Sequence, residues 1–141
     1  MNIIEITEDN IESAYPLISQ LRSHLSIEEY LNLVKEAIKE DNYKIFGLYK
    51  NEELASVIGF EPMTTLYYGR FIWVCDLVTH NNFRSQGLGE ILLSHVEKIA
   101  KDKNYDAIAL SSGLQREDAH RFYENKMNYS KPSYVFKKSF N

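Results

Sequence analysis

The sequence predicts an α/β (α+β) domain, and three stretches carry that expectation. The run RFIWVCDLVTH at 70–80 is rich in β-branched and aromatic residues and too continuous for a solvated hairpin, so it reads as a buried central strand. A polar turn, NNFRSQ, leads from it into the helix GLGEILLSHVEKIA, where Leu88, Ile91, Leu92, His95, Val96 and Ile99 share one stripe and Glu90, Glu97, Lys98 and Lys101 lie off it. Beyond that helix, DAIALSS reads as a helix-linked strand of parallel type.

The remaining elements follow in chain order. Residues 2–6, NIIEI, form a short strand, and Thr7 to Asn10 offer cap-type residues before Ile11, Ala14, Tyr15, Ile18 and Leu21 at helical spacing. A second helix opens on a capping box, Ser26 with Glu29, and carries Ile27, Tyr30, Leu31, Val34 and Ile38 as its apolar stripe. Between the two helices lies Arg22-Ser23-His24-Leu25, either a solvated loop or the border of a substrate pocket. Residues 43–50 and 54–61 read as a hairpin joined by Asn51-Glu52-Glu53, with Pro62 ending its second strand and Thr64 to Gly69 connecting to the central strand. After Gly113 a helix runs from about Gln115 to Lys126 and ends near Asn128. The last segment, SYVFKKSF, alternates like a half-buried strand. The order is β-α-α-β-β-β-α-β-α-β, with room for a short extra strand near Tyr129.

Size and composition narrow the function classes. At 141 residues the chain reads as a single domain, 1–141, with enough length for a proper core. Neither a membrane span nor a basic signal peptide is visible, since the N-terminus MNIIEITEDN is acidic, and a cytoplasmic protein is expected. Cys75 is the sole cysteine and the four histidines form no ligand pattern, so no metal is expected. A net charge of −4, with Lys137-Lys138 the only basic cluster, argues against nucleic acid and tolerates a cationic amine.

The chemistry lies where the central strand meets its helix. A helix N-terminus leaves N–H groups unpaired and carries partial positive charge, Gly87 and Gly89 let a ligand approach the backbone, and Arg84 adds a cation. Such a corner suits a phosphate or pyrophosphate. A P-loop would need Lys-Ser/Thr after its second glycine, and a dinucleotide fingerprint would need a third glycine where Leu92 stands. The pattern present is Arg84-Ser85-Gln86-Gly87-Leu88-Gly89, Arg-x-x-Gly-x-Gly, which resembles the acetyl-CoA pyrophosphate loop of the Gcn5-related N-acetyltransferase (GNAT) family. A second motif, Ala119-His120-Arg121-Phe122-Tyr123-Glu124, is similar to that family's A-x-x-F-Y-E helix, and the element order matches over nearly the whole chain.

The resemblance implies a mixed, twisted sheet with helices on both faces, in which the strands at 70–79 and 106–111 are parallel and splay apart around the pantetheine arm of acetyl-CoA. It implies that the main chain of Leu77, Val78 and Thr79 pairs with pantetheine, and that amides from Arg84 through Gly89, including Ser85, Gln86, Gly87 and Leu88, cradle the pyrophosphate. Tyr123 matches the general acid that protonates the CoA thiolate, and its ordinary pKa near 10 keeps it protonated at neutral pH. The alternative for Tyr123 is plain packing.

Asp76 stands where relatives carry Glu-Asp, here Cys75-Asp76, so the usual Glu base is missing. By strand parity Asp76 is expected to share a face with Ile72, Val74 and Val78, acting as a base through water or organising the sheet end; Glu61 and the backbone are other proton routes. Parity puts Cys75 on the opposite face from Asp76, as a buried structural thiol. His80 and His120 read as solvated or capping groups. Where relatives often have Asn, seven residues before the helix Tyr, this chain has Arg116, and Asn128 replaces the glycine usual after that helix.

The implied reaction is N-acetyl transfer from acetyl-CoA, a co-substrate, to a small-molecule or peptide amine by direct attack in a ternary complex. The alternative is a non-catalytic acyl-CoA sensor or interaction domain of the same fold. A homodimer through the C-terminal strand is compatible with either.

Overall fold

A computed structural model of the chain describes residues 1–140, which fall into two compact units, one from Met1 to Ala109 and one from Leu110 onward. The sheet has five strands in spatial order β1-β2-β3-β4-β5: Asn2–Ile6, Lys44–Lys50, Glu53–Thr65, Gly69–Thr79 and Ala107–Leu110. The first four pair antiparallel with their sequence neighbours. β5 begins beside the start of β4, where Asp106 donates its N–H to the Arg70 carbonyl at 2.6 Å and accepts the Arg70 N–H on its carboxylate at 3.0 Å. Two neighbouring strands that start at one end run parallel, and the mixed sheet is thereby established.

Helices cover both faces. α1 (Tyr15–Leu21) follows a 3₁₀ segment, Glu8–Ala14, because Pro16 begins a helix readily but cannot sit inside one. α2 (Ile27–Asp41) opens on the expected capping box: the Ser26 hydroxyl accepts the Glu29 N–H and the Glu29 carboxylate accepts the Ser26 N–H. Ile18, Tyr30 and Val34 from these helices pack with Ile6, Tyr43, Ile45, Val57 and Val78 in one core cluster. On the other face α3 (Leu88–Asp102) buries Leu88, Leu92, Leu93 and Val96, and its His95 meets Phe46 edge-on. Val57 and Ile58 thus serve opposite faces, as consecutive strand residues must.

Four elements differ from the sequence expectation, three among the strands and one in the last helix. The β2–β3 turn holds only Asn51 and Glu52, both at positive φ, which is the geometry of a tight two-residue hairpin. β3 runs through Pro62 to Thr65 instead of ending there. The pairing of β2 with β3 stops at Lys44 opposite Phe60, so beyond Phe60 one edge of β3 has no neighbour and a missing N–H breaks no ladder. Residues 128–140 carry no strand, and Tyr134, Val135, Phe136 and Phe140 are exposed. Alternation selects which side chains would share a face, but a strand also needs a partner edge, and that partner is not encoded in the period.

In the second unit, α4 (Glu117–Arg121) passes into a π-helical turn, Phe122–Lys126, so the expected single helix is split in two. It closes as the residues demand. Asn128 takes φ 61°, and Tyr129 donates its N–H to the Tyr123 carbonyl six residues earlier, one residue wider than the usual bond at a left-handed helix end because the turn before it is π-helical.

Candidate active site

The strand that carries Asp76 is not regular. Asp76 pairs with Gly59 and Val74 with Phe60, so Cys75 is an extra residue on β4, a β-bulge. A bulge breaks period-two parity and corrects two expectations. Asp76 and Val78 face the α1/α2 core, whereas Val74 sits across from Phe60, which stacks on Phe46 under α3. Ile72 and Val74 therefore do not share the face of Asp76. Cys75, expected opposite Asp76, instead packs against the same α1/α2 core cluster.

Asp76 is held at both oxygens. The Arg22 guanidinium reaches one oxygen at 3.1 Å through Nε and the Cys75 carbonyl at 2.8 Å through Nη2. The Tyr43 hydroxyl donates to the other at 2.7 Å. Tyr43 is buried, and burial together with the Asp76 charge pushes its pKa well up, so it remains a donor. Arg22 is the C-cap of α1, not a solvated loop residue, while His24 is exposed.

Glu61 and Cys75 complete this face. Burial raises the Glu61 pKa, the charges of Asp41 and Asp76 add to the rise, and the Cys75 thiol offsets part of it. The Cys75 thiol is pushed up to about 12, chiefly by burial and then by Glu61 and Asp76. Such a thiol is no nucleophile at neutral pH.

The turn before α3 leaves its backbone open. Ser85 and Gly87 take φ of 64° and 78°, and no side chain at the N-cap accepts a hydrogen bond from the helix. A Cβ added at Gly87 would meet nothing within 4 Å. Arg84, Ser85, Gln86 and Gly87 are exposed, Leu88 is anchored in the core and Gly89 is half-buried. Lys50, at the end of β2, hydrogen-bonds Gln86 and brings a second cation to this corner. A diphosphate fits that arrangement of open amides and two cations. Before the turn, the His80 imidazole accepts the Asn82 N–H, a capping role.

Just upstream, β4 outruns its neighbour. A four-residue β5 that starts beside Arg70 cannot run along all eleven residues of β4, and the end at Leu77–Thr79 lies beyond its length. His80 donates to the Ala55 carbonyl and Ser56 Oγ to the Val78 carbonyl, so the peptide of Val78 faces β3 and, against the expectation for it, is not turned outward with its neighbours. By alternation, Leu77 and Thr79 turn theirs outward, and the Thr79 carbonyl accepts the Gln20 amide at 3.1 Å.

Tyr123 lies in the π-helical turn of the second unit, its ring 5.3 Å from that of Phe122 and 6.1 Å from that of Tyr129. In the same unit His120 Nε2 is 2.8 Å from the Gly113 carbonyl. Gln20, Tyr43 and Lys50 went unnoticed in the sequence because each reaches its partner across 33 to 59 residues, and no local spacing marks such a pair.

Comparison with known proteins agrees with this geometry. The profile described as Acetyltransferase (GNAT) family matches residues 5–129. The chain is 39% identical over 125 residues to the uncharacterized N-acetyltransferase YhdJ of Bacillus subtilis, covering 89% of this chain and 88% of that protein. It is 26% identical over 119 residues to an aminoalkylphosphonate N-acetyltransferase of Salmonella typhimurium, covering 83% and 77%. Among solved structures, a transcriptional regulator from Bacillus halodurans superposes with TM-score 0.83 at 25% identity, covering 99% of each chain. The aminoglycoside N-acetyltransferase AAC(6')-Iy in complex with CoA shares the fold at TM-score 0.85 and 13% identity, covering 98% and 93%.

Proposed function

The chain belongs to the acetyltransferase (GNAT) family, and from that premise we propose that it moves acetyl from acetyl-CoA to a primary amine by direct attack in a ternary complex. The observation that carries this reading is the uncapped, glycine-led start of α3, open above Gly87 and flanked by Arg84 and Lys50. Amides of 84–89 and the two cations bind the diphosphate, and the outward main chain of Leu77 and Thr79 binds the pantetheine arm, with Val78 fixing their register on β3.

Attack needs a neutral amine and a polarised thioester carbonyl. The Leu77 N–H, turned away from β3, donates to the oxyanion that forms on that carbonyl. As the C–S bond breaks, Tyr123 gives its phenolic proton to the thiolate, a role assigned by the match of Ala119 to Glu124 with the family helix. Asp76, engaged by Arg22 and Tyr43, fixes the bulge and the α1–β4 contact, and reaches the reaction only through an ordered water.

The acceptor is a small-molecule or peptide amine, and the protein works in the cytoplasm as one domain, alone or as a homodimer. Isothermal titration with acetyl-CoA, followed by thiol release with spermidine, kanamycin, 2-aminoethylphosphonate and peptide N-termini, tests the proposal. Binding with no thiol release across that panel would favour the sensor.

A further inference from the structure

We infer that Glu61 of β3, and not Asp76 of β4, is the group that takes the proton from the attacking amine. The inference rests on the acyl-transfer reading above and assigns its missing base.

Three observations converge on Glu61. It pairs across the ladder with Trp73, two residues from Cys75, and the bulge there turns the Cys75 side chain to its face, with the thiol 3.8 Å from the Trp73 carbonyl that it donates to. Asp76, the other carboxylate next to the bulge, is committed to structure, with one oxygen on the Arg22 guanidinium and the other on the buried Tyr43 hydroxyl. Glu61 makes no ion pair among the described residues, is half-buried, and sits past the point where β2 leaves β3, so one edge beside it is open to an incoming amine.

The surroundings also set its basicity. From the end of α2 the exposed Asp41 faces it, from β4 Cys75 and Asp76, with Tyr43 and the Arg22 guanidinium beyond them on Asp76. The net effect of burial and these neighbours is a carboxylate more basic than usual. The proton balance closes simply. One N–H proton of the substrate ammonium moves to a Glu61 oxygen and then to solvent. The freed lone pair forms the C–N bond, the remaining excess proton on nitrogen leaves by the same route, and the thiolate takes its proton from Tyr123, which is reprotonated from water.

The test compares kcat/KM against pH for wild type, Glu61→Gln and Asp41→Asn, with acetyl-CoA and whichever of spermidine, kanamycin or 2-aminoethylphosphonate the wild type acetylates. Glu61→Gln should lose about a hundredfold in kcat/KM at neutral pH and lose the acidic limb that Glu61 sets, with acetyl-CoA affinity unchanged by titration calorimetry. Asp41→Asn, on the exposed helix end, should move that limb to lower pH, a shift that the amine's own ionisation cannot produce. If Glu61→Gln keeps the wild-type profile, or Asp41→Asn leaves the limb in place, Glu61 is not the base. If the wild type binds acetyl-CoA yet acetylates no amine, acyl transfer itself fails and the assignment goes with it.

Discussion

Gly59 is where the fold and the candidate site depend on one missing methyl group. A Cβ built there would lie 1.8 Å from the Tyr43 hydroxyl and 2.5 Å from its Cζ, against a van der Waals limit near 3.4 Å. In Gly59→Ala the phenol must retreat by about 1.6 Å, the difference of those distances. Tyr43 is buried in the α1/α2 core, so it cannot swing into solvent, and its 2.7 Å bond to Asp76 would stretch to about 4 Å. Loss of a hydrogen bond to a charged acceptor costs about 1.5–3 kcal/mol, and forcing a methyl into a packed core about 1–3 kcal/mol. A total of about 2.5–6 kcal/mol, read by urea denaturation, is the expected loss. Tyr43→Phe, which removes only the hydroxyl, should show the hydrogen-bond part alone, about 1.5–3 kcal/mol. A Gly59→Ala variant within about 1 kcal/mol of wild type, well below the sum of those terms, would refute the claim that Tyr43, Gly59 and Asp76 form one interlocked unit.

Two further expectations concern titration. The Glu61 pKa is raised by folding, so its contribution to stability is present below the ordinary carboxylate range and is lost as pH rises through the raised value. Glu61→Gln should therefore flatten the stability curve over that window and leave the protein at least as stable as wild type at neutral pH; a steeper decline in the variant would contradict the sign. Cys75, with its pKa at about 12, holds about a ten-thousandth of its sulfur as thiolate at pH 8. Iodoacetamide should then label the folded protein about a thousandfold more slowly than an ordinary thiol, and faster as pH rises. Labelling within tenfold of a free thiol would mean that Cys75 is not shielded as described.

Local patterns carried most of the architecture. The capping box at Ser26 and Glu29 depends on residues three positions apart and is present as read, while the stripe of α3 keeps Leu88, Leu92 and Val96 but buries Leu93 and Ala100 in place of Ile91, His95 and Ile99, which are half-buried. Asn128 likewise adopts the left-handed turn that its side chain tolerates. What the sequence concealed depends on registers. A single extra residue at Cys75 reverses which face every earlier residue of β4 occupies relative to Asp76, and nothing in WVCDLV marks it. Pro62 read as a strand end because the early stop of β2, which frees that edge, lies on another strand. The ties from Arg22 and Tyr43 to Asp76 join residues 54 and 33 positions apart, beyond any spacing rule. In SYVFKKSF the period was legible, but the partner edge that a strand requires was not.

The central claim is that the open turn before α3 holds a diphosphate, and isothermal titration of acetyl-CoA into wild type and Gly87→Val measures it directly. Nothing within 4 Å opposes a side chain at Gly87, so the variant should fold, with a left-handed strain of about 1–2 kcal/mol, while its added bulk stands where the ligand approaches. Wild type is expected to bind with a Kd on the order of 10–100 μM, about −5.5 to −7 kcal/mol, and the folded variant at least tenfold more weakly. No heat from wild type at about 1 mM acetyl-CoA, where binding would be worth no more than about 4 kcal/mol, or equal affinity in the two proteins, would contradict it.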